Sequence, residues 1–219
     1  PSPASAPAHV IDRIVAAVGS QVITLSDARA AISLHLLPDV IAIEPATSRP
    51  AAAASGAALS PAGAPALADI VERLVERELM RAEVDRFGVV APPPDVLEAR
   101  VDAVRKRFAA PAAFVAALDA CGLSEARFRA WMTDDWRIEQ YIQQRFEAAA
   151  QPTDEDVLQY YQSREREFSL NDRPRPFTEV RDEARTRLIA SRRKALVDDW
   201  IAGLRRRADV VILLGKEGA

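Results

Sequence analysis

The chain has 219 residues, 49% of them hydrophobic and 28% charged, with a formal net charge of -3, an ordinary balance that can bury one sizeable core or two small ones. That charge speaks against a generic nucleic-acid binder, which needs a basic surface, and no run approaches the roughly 20 apolar residues that would insert in a membrane. A single cysteine, Cys121, excludes an intramolecular disulfide.

Residues 1–9 form a Pro/Ala/Ser leader with neither a basic start nor an apolar stretch, so they read as a flexible stub rather than a signal peptide. From Val10 to Leu25 the pattern is a β-hairpin turning at Gly19-Ser20. Val10, Ile14, Ala16 and Val18 make one face apolar, whereas Ile11, Arg13, Val15 and Ala17 make the other mixed. Ser26 is expected to cap a short helix, with Asp27 in its first turn and Pro38 ending it after Leu37.

Residues 45–66 contain ten Ala and four Pro among 22 positions. They offer too little burial to offset the entropy of ordering and are expected to be a loop. A helical stripe then runs through Ile70, Val71, Leu74, Val75 and Leu79 to a stop at Gly88. The next helix aligns Leu97, Val101, Val104 and Phe108, and a short one around Phe114 and Leu118 ends at Cys121-Gly122. Ser124 starts a long helix to about Ala149, and Thr153 caps another that aligns Val157, Tyr161 and Phe168. Pro174 and Pro176 precede a last helix, Phe177 to Arg207, and residues 208–214 read as a strand. Two strands are marginal alone and a third completes a sheet. The expected fold is therefore mainly α, with a small antiparallel sheet formed by the N-terminal hairpin and the C-terminal strand.

Groups for covalent or metal chemistry are scarce. The only histidines, His9 and His35, do not stand at ligand spacing, so neither a metal site nor a cofactor is expected, and no glycine-rich phosphate loop occurs. Asp134-Asp135 and Asp198-Asp199 diverge by about 100° on their helices and are expected to be surface charges. Cys121 has no basic neighbour and reads as a small buried hydrophobe. Residues 173–207 carry eleven Lys/Arg against five Asp/Glu, which reads as a solvated helix face. Trp131 and Trp136 lie about 140° apart around their helix, so one of them is expected to leave the core and face a cavity or a partner.

Several segments, in this order, resemble the SurA-type chaperone family. They are Val10 to Asp27, then Leu74-Val-Glu-Arg-Glu-Leu79, Gly122-Leu-Ser-Glu-Ala-Arg-Phe128, Thr153 to Tyr161 and Pro176-Phe-Thr-Glu-Val180, followed by the closing helix and strand. The resemblance implies one chaperone domain over residues 10–214, interrupted by the 45–66 loop and followed by a flexible tail at 215–219. It implies a helical cradle in the periplasm that holds unfolded or partly folded clients, outer-membrane proteins among them, without nucleotide. Many members carry a parvulin-type prolyl isomerase domain before the last helix. Here that place is only Ser169 to Arg175, so isomerase activity is not expected. On this reading Leu34, Leu37, Phe128, Trp131, Trp136, Tyr160 and Tyr161 wall the client groove. The alternative is an assembly or interaction subunit whose apolar surface is covered by a second chain, as in a strand-swapped homodimer.

Overall fold

The computed structural model describes residues 12–37, 67–170 and 173–214. The expectations for the leader, the 45–66 loop, the 215–219 tail, Val10 and Ile11 lie outside them. Strands β1 (Ile14–Val18) and β2 (Gln21–Thr24) form the hairpin, and β5 (Val210–Ile212) pairs antiparallel with β1, giving the order β2-β1-β5. The expected closure of the two chain ends into one sheet is therefore present. Gly19 takes φ 57 in the two-residue turn, the primed geometry that matches strand twist and favours glycine first.

The simple alternation expected of β1 fails at one point. Its register against β2 shifts between Ile14 and Ala16, so Val15 and Ala16 are both buried while Ile14 is exposed. A bulge of this kind places consecutive side chains on one face and breaks the period of two.

β2 runs directly into α1 (Leu25–Ser33), and the cap is Thr24, two residues before the expected Ser26. Thr24 Oγ1 accepts from the Asp27 backbone N–H at 3.2 Å, and Asp27 Oδ2 accepts from the Thr24 N–H at 2.9 Å. This reciprocal box needs the acid three residues after the cap, which Asp27 satisfies for Thr24 and not for Ser26. The helix ends at Ser33, short of Leu37, because His35 adopts φ 50. Leu36 N–H donates to the Ala31 carbonyl and His35 N–H to that of Ile32, a Schellman closure made without glycine.

Next come α2 (Leu67–Arg86), α3 (Pro94–Arg105), α4 (Pro111–Ala120) and α5 (Glu125–Ala150). Prolines open α3 and α4 at the first helical position, where a missing N–H costs nothing. Gly122, at φ 67, closes α4 with the Leu123 N–H on the Leu118 carbonyl. Ser124 Oγ then caps α5 by accepting from the Arg127 N–H at 3.2 Å.

α6 (Asp154–Ser163) carries a second capping box, Thr153 with Asp156. It stops before Phe168, which sits in a short 3-10 turn (Glu165–Phe168) and still packs beside Tyr161. A minimal ladder, β3 (Ser169–Leu170) with β4 (Arg173–Pro174), leads into α7 (Phe177–Arg207), which packs along α2, α5 and α6.

The buried side chains form two clusters. The larger joins the sheet, α1 to α5 and the C-terminal part of α7. The smaller contains Val157, Tyr161, Phe168, Val180, Ala184 and Leu188. Leu188 and Val197 are nine residues apart on α7, about two and a half turns, so the helix presents opposite sides to the two clusters. The basic excess of α7 is largely paired within the protein: Arg181 and Arg185 reach Asp154, Arg192 reaches Asp156, and Arg205 reaches Glu72 at 2.6 Å.

Candidate functional site

A concave surface lies beside the hairpin, where β2 and the turn face α2, α5 and the end of α7. Two adjoining clefts of 220 and 460 Å³ share Gln21, Glu78 and Arg81 and so form one groove. Its apolar lining comes from Val22 and Ile23 of β2, Leu74 and Leu79 of α2, Leu123 and Trp131, with Leu204 at the far end. Val22 is 54% exposed, an apolar side chain held over the groove by its position on the open edge of the hairpin.

The charged side chains of the groove neutralise one another. Arg81 donates to Glu78 at 2.6 Å and to Asp85 at 2.7 Å, Arg127 reaches Asp27 at 3.1 Å, and Arg207 reaches Glu83 at 3.8 Å. Such a lining is close to neutral and gives little net field to draw in an anion or a cation. It suits a ligand that makes apolar and neutral polar contacts. Among the described residues no cluster of three metal-ligating side chains forms, and no helix is long and apolar enough to cross a membrane.

At the base of the groove, Arg77 joins α2 to α5. Its Nε donates to Asp135 Oδ1 at 2.7 Å and its Nη2 to the Trp131 carbonyl at 3.2 Å, while its guanidinium lies 4.2 Å from the centre of the Trp131 ring. Only 11% of the Arg77 side chain and 14% of Asp135 are exposed. Burial pushes the Asp135 carboxyl up to about 6, against the opposing pull of Arg77. Asp134 is also raised by burial, with Arg77 and Arg81 opposing. Behind the pair, on the α3 side, a third cleft of 160 Å³ is lined by Asp135, His35, Arg100 and Glu139, the last two bonded to each other.

The expectation that Asp134-Asp135 are surface charges is thus corrected. Asp135 falls on the stripe Trp131, Asp135, Ile138, Ile142, whose other members are buried. That spacing of four, three and four was readable in the sequence, and it marks a carboxylate that must find a buried cation. Arg77 lies on the corresponding stripe of α2, between Leu74 and the buried Val84.

The residues expected to wall the groove are dispersed. Trp131 lines it, with 8% of its surface exposed and its indole N–H buried without a hydrogen-bond partner among the described residues. Leu34 and Phe128 have no exposed surface and belong to the main core, where Phe128 meets Phe114 edge-on at 5.3 Å. Leu37 packs partly buried against the same core. Tyr161 is buried in the smaller cluster and donates its hydroxyl to the Arg175 carbonyl at 2.7 Å; Tyr160 packs against that cluster under Arg164. Trp136 is half-buried on α5 and lines neither cleft of the groove. Leu34, Phe128 and Tyr161 act in this conformation as core, because aromatic and leucine side chains on helix stripes are the main source of buried area. Cys121 is buried, as its neighbours suggested. No family model matches the chain, and no curated protein matches it.

Proposed function

We propose that this protein is an ATP-independent chaperone or chaperone-like binder that holds unfolded or partly folded polypeptides, outer-membrane proteins among them, in the periplasm. One observation carries the reading: beside the hairpin lies an open groove that combines apolar side chains with internally paired charges. A groove of this chemistry favours extended chains with little sequence selectivity, because apolar contact supplies affinity and the charges are already satisfied. The resemblance of the hairpin, the helix order and the returning strand to SurA-type chaperones points the same way. Residues 169–175, a short connection between the 3-10 turn and α7, are too few for an isomerase domain.

Binding is tested by diluting a urea-unfolded β-barrel protein into buffer without nucleotide and following its light scattering. Suppression at near-stoichiometric ratio is expected. Undiminished aggregation, together with a stable dimer in solution, would replace this reading by an assembly subunit whose surface is already occupied.

A further inference from the structure

Among the described residues the sheet has two open edges, and they are not equivalent. On β1, Val15 accepts from the Leu213 N–H and Gly19 donates to the Asp209 carbonyl, both at 2.8 Å. With Ala17 opposite Val211, the odd-numbered residues of 209–213 therefore carry the bonds to β1. In an antiparallel ladder the alternate residues point their N–H and C=O groups the other way. Val210 and Ile212 thus present two donors and two acceptors along the outer edge of β5, which no described strand pairs. At β2 the same parity leaves only Val22 outward, since its partner Ala17 bonds toward β5, and the next outward donor, the Thr24 N–H, is already held by Asp27.

Among the described residues the β5 edge also lacks the usual protection. Residues 210–214 contain no charge, proline or glycine. Val211, Ile212 and Leu213 are 46%, 36% and 49% exposed. Proteins normally blunt such an edge with lysine, proline or a bulge. A bare apolar edge with a row of unsatisfied backbone groups is complementary to another extended chain.

We propose that the outer edge of β5 is a second client-binding surface, which takes an extended, uncharged polypeptide segment as an added antiparallel strand. Its backbone bonds to Val210 and Ile212, and its apolar side chains pair laterally with Val211 and Leu213. The class of partner rests on the chaperone reading given above. Occupation by a second copy of the chain is disfavoured by size, since so short a strand pair falls well below the ~1,200 Å² that a stable interface buries. An edge of this length suits brief capture and release instead.

The probe is a fluorescent eight-residue peptide of alternating valine and threonine, compared with the same peptide N-methylated at alternate backbone positions along one edge, in both frames. Weak binding of the unmodified peptide, reduced about tenfold or more by N-methylation in one frame only, is expected from the loss of backbone donors. Ile212→Pro removes only an outward N–H, leaving the bonds of Val211 and Leu213 to β1, and proline is tolerated on edges of this kind. It is expected to weaken the peptide by a similar factor with its thermal unfolding near that of wild type. Equal binding of all the peptides, no binding at all, or concentration-dependent dimerisation without peptide binding would overturn the proposal, and the N-methyl comparison decides it even where the proline variant misfolds. Absence of frame-dependent peptide binding in a protein that still suppresses aggregation would sink the edge and spare the chaperone reading. Edge binding without any suppression would do the reverse.

Discussion

Replacing Arg77 by methionine removes the cation that joins α2 to α5 and keeps a flexible apolar side chain in its place. Four contacts go at once: the Asp135 pair, the longer pair with Asp134 at 3.9 Å, the bond to the Trp131 carbonyl and the stack on the Trp131 ring. Asp135 already titrates near 6 with Arg77 beside it, and without that pull its carboxyl rises further. The unfolded chain releases this proton near 3.9, so between about pH 4 and the native value the folded state binds more protons than the unfolded one. Stability arising from this group is therefore complete at low pH and is lost as the pH rises through the native value. Near pH 5 the carboxyl is protonated in both proteins, and Arg77→Met loses about 1 kcal/mol, the worth of one hydrogen bond and a ring contact. Near pH 7.5 the variant must either keep the proton or bury an unpaired charge, and the deficit grows to about 3 kcal/mol. Urea unfolding followed by tryptophan fluorescence at the two pH values reads the difference. The double variant Arg77→Met/Asp135→Leu is expected to recover most of the loss at pH 7.5, since an apolar replacement for both partners of a buried pair is close to neutral. A deficit of equal size at both pH values would refute the reasoning and place Asp135 in water.

Thr24→Ala removes one half of the box at the strand-to-helix junction and is expected to cost about 1 kcal/mol, measured as a lower urea midpoint. Trp131→Ala opens the core and is expected to destabilise by about 3–4 kcal/mol, with Trp131→Phe losing roughly a third as much; calorimetric melting that leaves the alanine variant unchanged would contradict its burial. Tyr161→Phe leaves the Arg175 carbonyl without its donor, at about 1 kcal/mol. Its effect is confined to the smaller cluster, so amide exchange should quicken in 160–180 and stay unchanged in the hairpin.

Much of this architecture is legible from local signals. Alternating apolar residues around Gly19-Ser20, glycines at the helix ends, and a late Val-Val-Ile run give the hairpin, most helix boundaries and the third strand, because each rests on short-range backbone chemistry. The departures occur where tertiary packing decides. The bulge at Val15 places two successive side chains inside the protein, and nothing local announces it. His35 takes a left-handed conformation that glycine usually marks, so α1 stops earlier than its pattern suggests. α7 changes its buried side between Leu188 and Val197, as only a helix serving two clusters must. For the groove, aromatic content is a poor guide: Phe128 and Tyr161 are consumed by packing, whereas the charged residues Arg77 and Asp135 shape its base. Their positions on apolar stripes carried that information.

Groove occupancy by a client is the central claim, and site-specific photocrosslinking reads it most directly. A photoreactive amino acid at Ala130, exposed within the groove, is compared with one at Leu158, exposed on α6 away from it, after dilution of an unfolded β-barrel protein into the mixture. The account predicts strong crosslinks from position 130 and weak ones from 158. Equal yields from both positions, or none from 130 while aggregation is suppressed, would contradict it.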